Sequence, residues 1–201
     1  ITAPTNIGSG GRGLTNPKDT DGGGAIKITV GGTTTVSGSI LADGSDTDLR
    51  LNGGGAGGSI WLTTSNLAGG GTIRAKGGAT SFGGGGEACS GGGGGRVAVI
   101  LTGSDSFAGA SIRAFGGSAT HHDGAAGTVY LEGQGDTAGQ GHLLIDNNDL
   151  DSGTLPDQVF TDINGSISVS HQFSTLTVTN GGELEIGADD SVTMTGGTIR
   201  G

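Results

Sequence analysis

The chain has 201 residues, of which 31% are hydrophobic and 3% aromatic, and 19 acidic against 9 basic side chains give it a formal charge of −10. That composition excludes a thick layered core, and with no basic run to attract phosphates, nucleic acid is not expected as a partner. No apolar run approaches the roughly 20 residues of a membrane-spanning helix, the strands are too polar and irregular for a membrane barrel, and 48 glycines would signal disorder unless a regular pattern accounts for them.

Residues 1–24, ITAPTNIGSGGRGLTNPKDTDGGG, hold two of the three prolines and no sustained alternation, so they read as an irregular leader or the end of a preceding coil. With neither an initiator methionine nor a basic and apolar leader, the chain is expected to be a processed mature form or a fragment. From residue 25 to 133 one phrase returns: GAIKITVGGTTTVSGSILADG, then GSIWLTTSNLAGGGTIRAKGG, then GRVAVILTGSDSFAGASIRAFGG, and a truncated GTVYLEG. Alignment places Ile26, Ile60, Val97 and Val129 in one column, with Ile28, Leu62, Val99 and Leu131 two residues on. A second column holds Ile40, Ile73 and Ile112, followed by Ala42, Ala75 and Ala114, and then by Gly44, Gly77 and Gly116. Apolar residues at i and i+2 bounded by glycine are strands with one buried face. The spacing along both columns, about 32 to 39 residues, is that of stacked supersecondary units. The expected fold is therefore all-β, a right-handed parallel β-helix with strands near 59–63, 72–76, 96–101 and 111–115.

The excursions between these strands, such as GGATSFGGGGEACSGGGGG, are too rich in glycine for ordinary loops. Two readings stand. The loops stay mobile, because glycine loses most on ordering, or they run side by side on one edge of the solenoid as polyproline-II-like strands with backbone groups bonded between segments. The ordered form is expected, since loops of adjacent coils leave the same edge and must lie together. From residue 134 to 201 the glycine runs stop, and LTVTNGG, ELEIGADD and SVTMTGG read as regular coils continuous with the first part. Leu176, Val178, Leu184, Ile186, Val192 and Met194 are expected inside, with Phe160, Ile163, Ile167 and Val169 closing the neighbouring rung. The chain stops at TGGTIRG, in the middle of a repeat, which implies continuation or end-to-end stacking of copies.

The motifs GGSI, GTIRAKGG, GGGGRVAV and AGTVYL, within residues 22–201, resemble the glycine-rich β-helical repeat regions of large secreted bacterial surface or adhesin-like proteins, ending in a pectin-lyase-like solenoid. The resemblance implies an extracellular or cell-surface location and a role in adhesion or envelope structure as part of a longer chain. A fold of this type does not by itself define an activity.

Several constellations are candidates for chemistry. Glu87 and Cys89 in one glycine loop, with His121, His122 and Asp123 in the next, offer zinc-type ligands or a thiol and base pair, without diagnostic spacing. Asn147, Asp149 and Asp151 alternate as in a calcium loop, although Ser152 stands where glycine is expected; turn chemistry explains such residues equally well. No cofactor is required, and structural calcium is the one considered. The single cysteine makes no internal disulfide. Outward positions of the first strand hold Lys27, Trp61, Ala98 and Tyr130, and those of the second hold Leu41, Arg74 and Arg113. Trp61 and Tyr130 suit stacking on a surface glycan, with Arg74 and Arg113 bonding its hydroxyls or carboxylates; alternatively, Trp61 covers its glycine-rich neighbours. Paired catalytic carboxylates are not evident, for Glu183 and Glu185 read as solvated strand residues. The expected function is a structural or adhesive module without catalysis, whose partners are other copies or other parts of the same chain. The rival is a polysaccharide-active β-helix enzyme or its glycan-binding part.

Overall fold

The computed structural model describes residues 1–12, 20–48, 52–81, 89–107, 111–151, 158–163, 170–188 and 190–195, and the backbone of 199–200. Among these residues there is no α-helix; parallel sheets stack as a β-solenoid of about four turns. The strands are β1 (Ala25–Thr35), β2 (Ser39–Leu41), β3 (Ser59–Gly69), β4 (Thr72–Arg74), β5 (Arg96–Leu101), β6 (Asp105–Phe107), β7 (Ile112–Arg113), β8 (Thr128–Glu132) and β9 (His142–Asp146). After them come β10 (Thr161–Asp162), β11 (Ser170–Phe173), β12 (Thr175–Thr179), β13 (Leu184–Glu185), β14 (Ser191–Met194) and β15 (Ile199–Arg200). The main sheet runs β1-β3-β5-β8-β9-β12-β15, with β6 beside β3; a second sheet runs β2-β4-β7.

The sequence columns are the ladder register. Ile26 lies opposite Ile60, Ile60 opposite Val97, and Val97 opposite Val129, while Ile40, Ile73 and Ile112 pair in the second sheet. Their side chains, with Leu62, Val99, Ala75 and Ala114, form the first core between the two sheets. Strand β3 runs further than its alternating segment suggests, through Gly69, and β1 follows it with a bulge between Val30 and Thr33.

Where they are described, the glycine excursions form an ordered bundle. Along residues 90–95, the carbonyls of Ser90 and Gly93 accept from the amides of Gly54 and Gly57 (3.0 and 2.9 Å). The amides of Gly91 and Gly94 donate to His122 and Ala125 (both 2.9 Å), and those of Gly92 and Gly95 donate to Gly78 and Ala75 (2.9 and 2.7 Å). Each neighbouring segment is met at every third residue. A β-strand, with period two, would not do this; a polyproline-II helix has three residues per turn and no internal hydrogen bonds, so its three faces bond three different neighbours. Side chains must then be missing where the segments approach. A Cβ on Gly92 would lie 2.0 Å from the carbonyl oxygen of Gly55, and one on Gly117 would lie 1.8 Å from that of Gly78. Residues 8–12 and 20–23 also belong to this bundle, bonding to each other and to residues 53–56.

After β8 the chain reverses. Strand β9 pairs β8 antiparallel, Tyr130 opposite Leu143, and β12 then pairs β9 in parallel. The main sheet is unbroken, but its interior side changes. Leu143, Ile145, Phe173 and Leu176 of the later coils form a second core together with Ala98, Ala126 and Tyr130 of the earlier ones. The expected outward column of Ala98 and Tyr130 is therefore covered, and both residues are 0% exposed. Val178, Leu184, Val192 and Met194 pack against this core as expected, and Ile163 belongs to it. Ile186 is 45% exposed, because β13 stops at Glu185 and the strand alternation no longer sets its side. Phe160 is 36% exposed and closes no rung; Ile167 and Val169 lie outside the described residues.

Candidate functional site

Trp61 sits on β3 between Lys27 and Ala98. The Lys27 ammonium lies 4.0 Å from the Trp61 ring centroid, while the indole packs against the second core with its Nε1 buried and unbonded. Tyr130, two coils further on, is no part of an exposed platform. Its hydroxyl donates to Glu132 Oε2 (2.5 Å) and accepts from the Gly141 amide (2.8 Å), and the same Glu132 oxygen accepts from Gly139 (2.7 Å). These bonds tie the far end of the 133–141 reversal back to β8. Burial first, then the Glu132 hydrogen bond, push the Tyr130 phenol well above the ordinary tyrosine range. A raised folded-state value means the unfolded chain loses its proton first, so stability from this group is complete below the usual tyrosine pKa of about 10 and declines above it. Alkaline unfolding followed by circular dichroism should show that decline, and Tyr130→Phe should flatten it. The same substitution leaves the Gly141 amide without its acceptor and is expected to cost about 1–3 kcal/mol at neutral pH.

The arginine column is engaged within the chain. Arg74 grips the Asp43 carboxylate of the preceding coil through Nη2 (2.6 Å) and Nε (3.1 and 3.2 Å), and Asp43 also accepts from the Lys76 amide (2.9 Å). The hydrogen bond that Arg74 donates to Asp43 raises the pKa of the arginine. Lys76 Nζ reaches Asp46 (2.7 Å), whose second donor is the Ala79 amide (2.8 Å). Burial pushes the Asp46 carboxyl up, but these bonds hold it below its usual value. Arg113 donates to Asn148 Oδ1 at 2.7 Å. Trp61, Tyr130, Arg74 and Arg113 therefore form no common glycan surface; three of the four are committed to neighbouring coils or the reversal.

Glu87 lies outside the described residues. Stacking does bring the Cys89 and His122 segments together, through a parallel bridge between Ser90 and His122. Cys89 is 1% exposed, however, whereas His121 is exposed, and Asp123 accepts from the amides of Ala119 (2.6 Å) and Asp151 (3.2 Å). The calcium-like run is also turned to other uses. Asn147 is fully buried, its Oδ1 accepting from Gly116 (2.9 Å) and its Nδ2 donating to the Gly124 carbonyl (3.1 Å). Asn148 and Asp149 adopt positive φ (55° and 60°), and the Asp149 amide donates to the Asn180 carbonyl. Among the described residues no three His, Cys, Asp or Glu side chains are placed to hold a metal. Asn147→Ala leaves the Gly116 amide and Gly124 carbonyl unpartnered, with an expected cost of about 1–3 kcal/mol. Melting with and without chelator should show the same loss.

Two concave regions were not evident from local sequence. One, of about 250 Å³, is lined by Leu67, Val99, Leu101, Ile112 and Leu131 of the first core, with Asp105, Glu132, Asp136 and His142 at its rim. The rim side chains are ordered by other bonds: Asp105 accepts from Phe107, and Asp136 accepts from Gly133 and lies 3.5 Å from His142. Only the reversal brings these positions together, so no local signal announces them. The other is a trough over the glycine bundle, in two stretches of about 390 and 400 Å³ that share Gly93 and Ala125. Comparison with models of protein families, with curated proteins and with solved structures yields no match.

Proposed function

We propose that the chain is a structural or adhesive β-solenoid module of an extracellular, cell-surface protein or surface filament, without catalytic turnover. The observation that carries this reading is where the polar groups go. Arg74, Lys76 and Arg113 each reach a polar side chain of an adjoining coil, and the backbone of the glycine excursions bonds from segment to segment. Such groups brace one coil against the next, as a rod under tension requires. The outer edge of β1, which ends the main sheet among the described strands, suits pairing with a further coil or another copy. The rival reading, a polysaccharide-active enzyme, would draw on the acid-rimmed cavity.

Incubation with neutral and acidic polysaccharides tests the choice. Neither new reducing ends nor unsaturated uronates are expected, and turnover lost in Glu132→Gln would replace this reading with the enzymatic one. Protease treatment of intact source cells should release the chain, placing it outside the envelope.

A further inference from the structure

Among the described residues, the glycine bundle has a filled outer lane and an unfilled one of similar design. Residues 8–12 lie across segments 20–23 and 53–56. The amides of Gly8 and Gly11 donate to the carbonyls of Gly23 and Thr20 (both 2.7 Å), and the amides of Ala56 and Gly53 donate to the carbonyls of Ser9 and Arg12 (both 2.9 Å). All four bonds repeat at every third residue.

The ladder register shows which groups occupy the same places in later coils. Ala25 pairs Ser59, Ser59 pairs Arg96, and Arg96 pairs Thr128. The carbonyls of Gly91 and Gly94 are therefore equivalent to those of Thr20 and Gly23, and the Ala125 amide is equivalent to that of Ala56. Among the described residues those two carbonyls and that amide have no hydrogen-bond partner. They lie along the trough, whose floor includes Gly91, Gly93, Gly94 and Ala125 and whose rim carries Val159, Phe160 and Arg96.

We propose that this trough is an open lane of the bundle that binds an extended glycine-rich segment of another polypeptide, in the manner of residues 8–12. The filled lane also specifies the partner's sequence. A Cβ on Gly8 would lie 2.2 Å from the carbonyl oxygen of Ala56, and one on Gly11 2.2 Å from that of Gly53. The partner strand thus needs glycine at both positions of a Gly-x-x-Gly unit, with the intervening side chains free to vary. Recognition is by backbone hydrogen bonds on a polyproline-II strand, a mode related to the addition of a β-strand to a sheet edge but with period three.

The test uses the synthetic peptide Asn-Ile-Gly-Ser-Gly-Gly-Arg, the sequence of residues 6–12, titrated into the isotopically labelled 201-residue chain. Saturable amide shifts are expected at residues 90–96 and 122–128, with slowed exchange of the Ala125 amide. The same peptide with alanine at its first and last glycines should bind at least about tenfold more weakly. Gly93→Leu provides a block, because a Cβ there meets nothing within 4 Å, so the variant should fold while its side chain fills the trough. Absence of saturable shifts, equal binding of the alanine peptide, or undiminished binding to folded Gly93→Leu would each overturn the proposal. The alanine peptide, tested on the unaltered protein, decides the matter even if Gly93→Leu fails to fold.

Discussion

Valine at Gly92 is expected to prevent folding, whereas valine one residue on, at Gly93, should leave a folded protein with nearly unchanged melting temperature. A side chain at Gly92 would start 2.0 Å from the Gly55 carbonyl oxygen and 2.5 Å from its carbon, and both are backbone atoms of a segment held on several sides. Nothing there is the flexible end of a side chain, so relief requires parting the bundle and losing its inter-segment bonds. The cost should exceed about 4 kcal/mol, beyond the range of ordinary substitutions. Gly93 lies in the same run but faces the open trough, and the equivalent places in neighbouring coils are already alanines, Ala56 and Ala125. Thermal melting of the two variants by circular dichroism separates the cases. Equal destabilisation would show that the excursions tolerate or reject side chains uniformly, as a disordered loop or a generic packing defect would.

Aspartate at Ile73 is the second severe change. Ile73 is 0% exposed, between Ile40 and Ile112 in the second sheet and inside the first core. A core this thin offers neither a cation nor water to a carboxylate, and the substitution combines a lost apolar side chain with an unpaired charge, for an expected loss of about 4 kcal/mol or more. Arg74→Ala, on the next residue, removes a partly exposed ion pair with Asp43 and should cost only about 1 kcal/mol or less. Asp43 keeps its bond from the Lys76 amide in that variant. Urea titration of both variants measures the contrast, and similar midpoints would mean that the inward and outward sides of β4 are misassigned.

What the sequence determined by itself is the repeating geometry of the first part. Alternation within β3 and β5 is a local property, and identical columns recurring coil after coil leave one register that buries Ile60, Val97 and Val129 together. The ordering of the described glycine segments was legible for a related reason: segments that leave one edge at each turn must run side by side, and without side chains their backbones are the only groups available to bond. Tertiary structure alone decided the reversal after β8. Residues 128–132 and 142–146 alternate in the same way whether their strands run parallel or antiparallel, so nothing local shows that the interior changes sides. That one choice buries Tyr130 and Ala98, gathers Asp105, Asp136 and His142 around one cavity, and leaves Trp61 half covered. Asn147 was legible as a turn residue, yet its direction depends on the neighbouring glycine segment, which supplies a buried donor and acceptor that water cannot reach. Period and register follow from local side-chain alternation, whereas the choice of face depends on which distant strand arrives beside it.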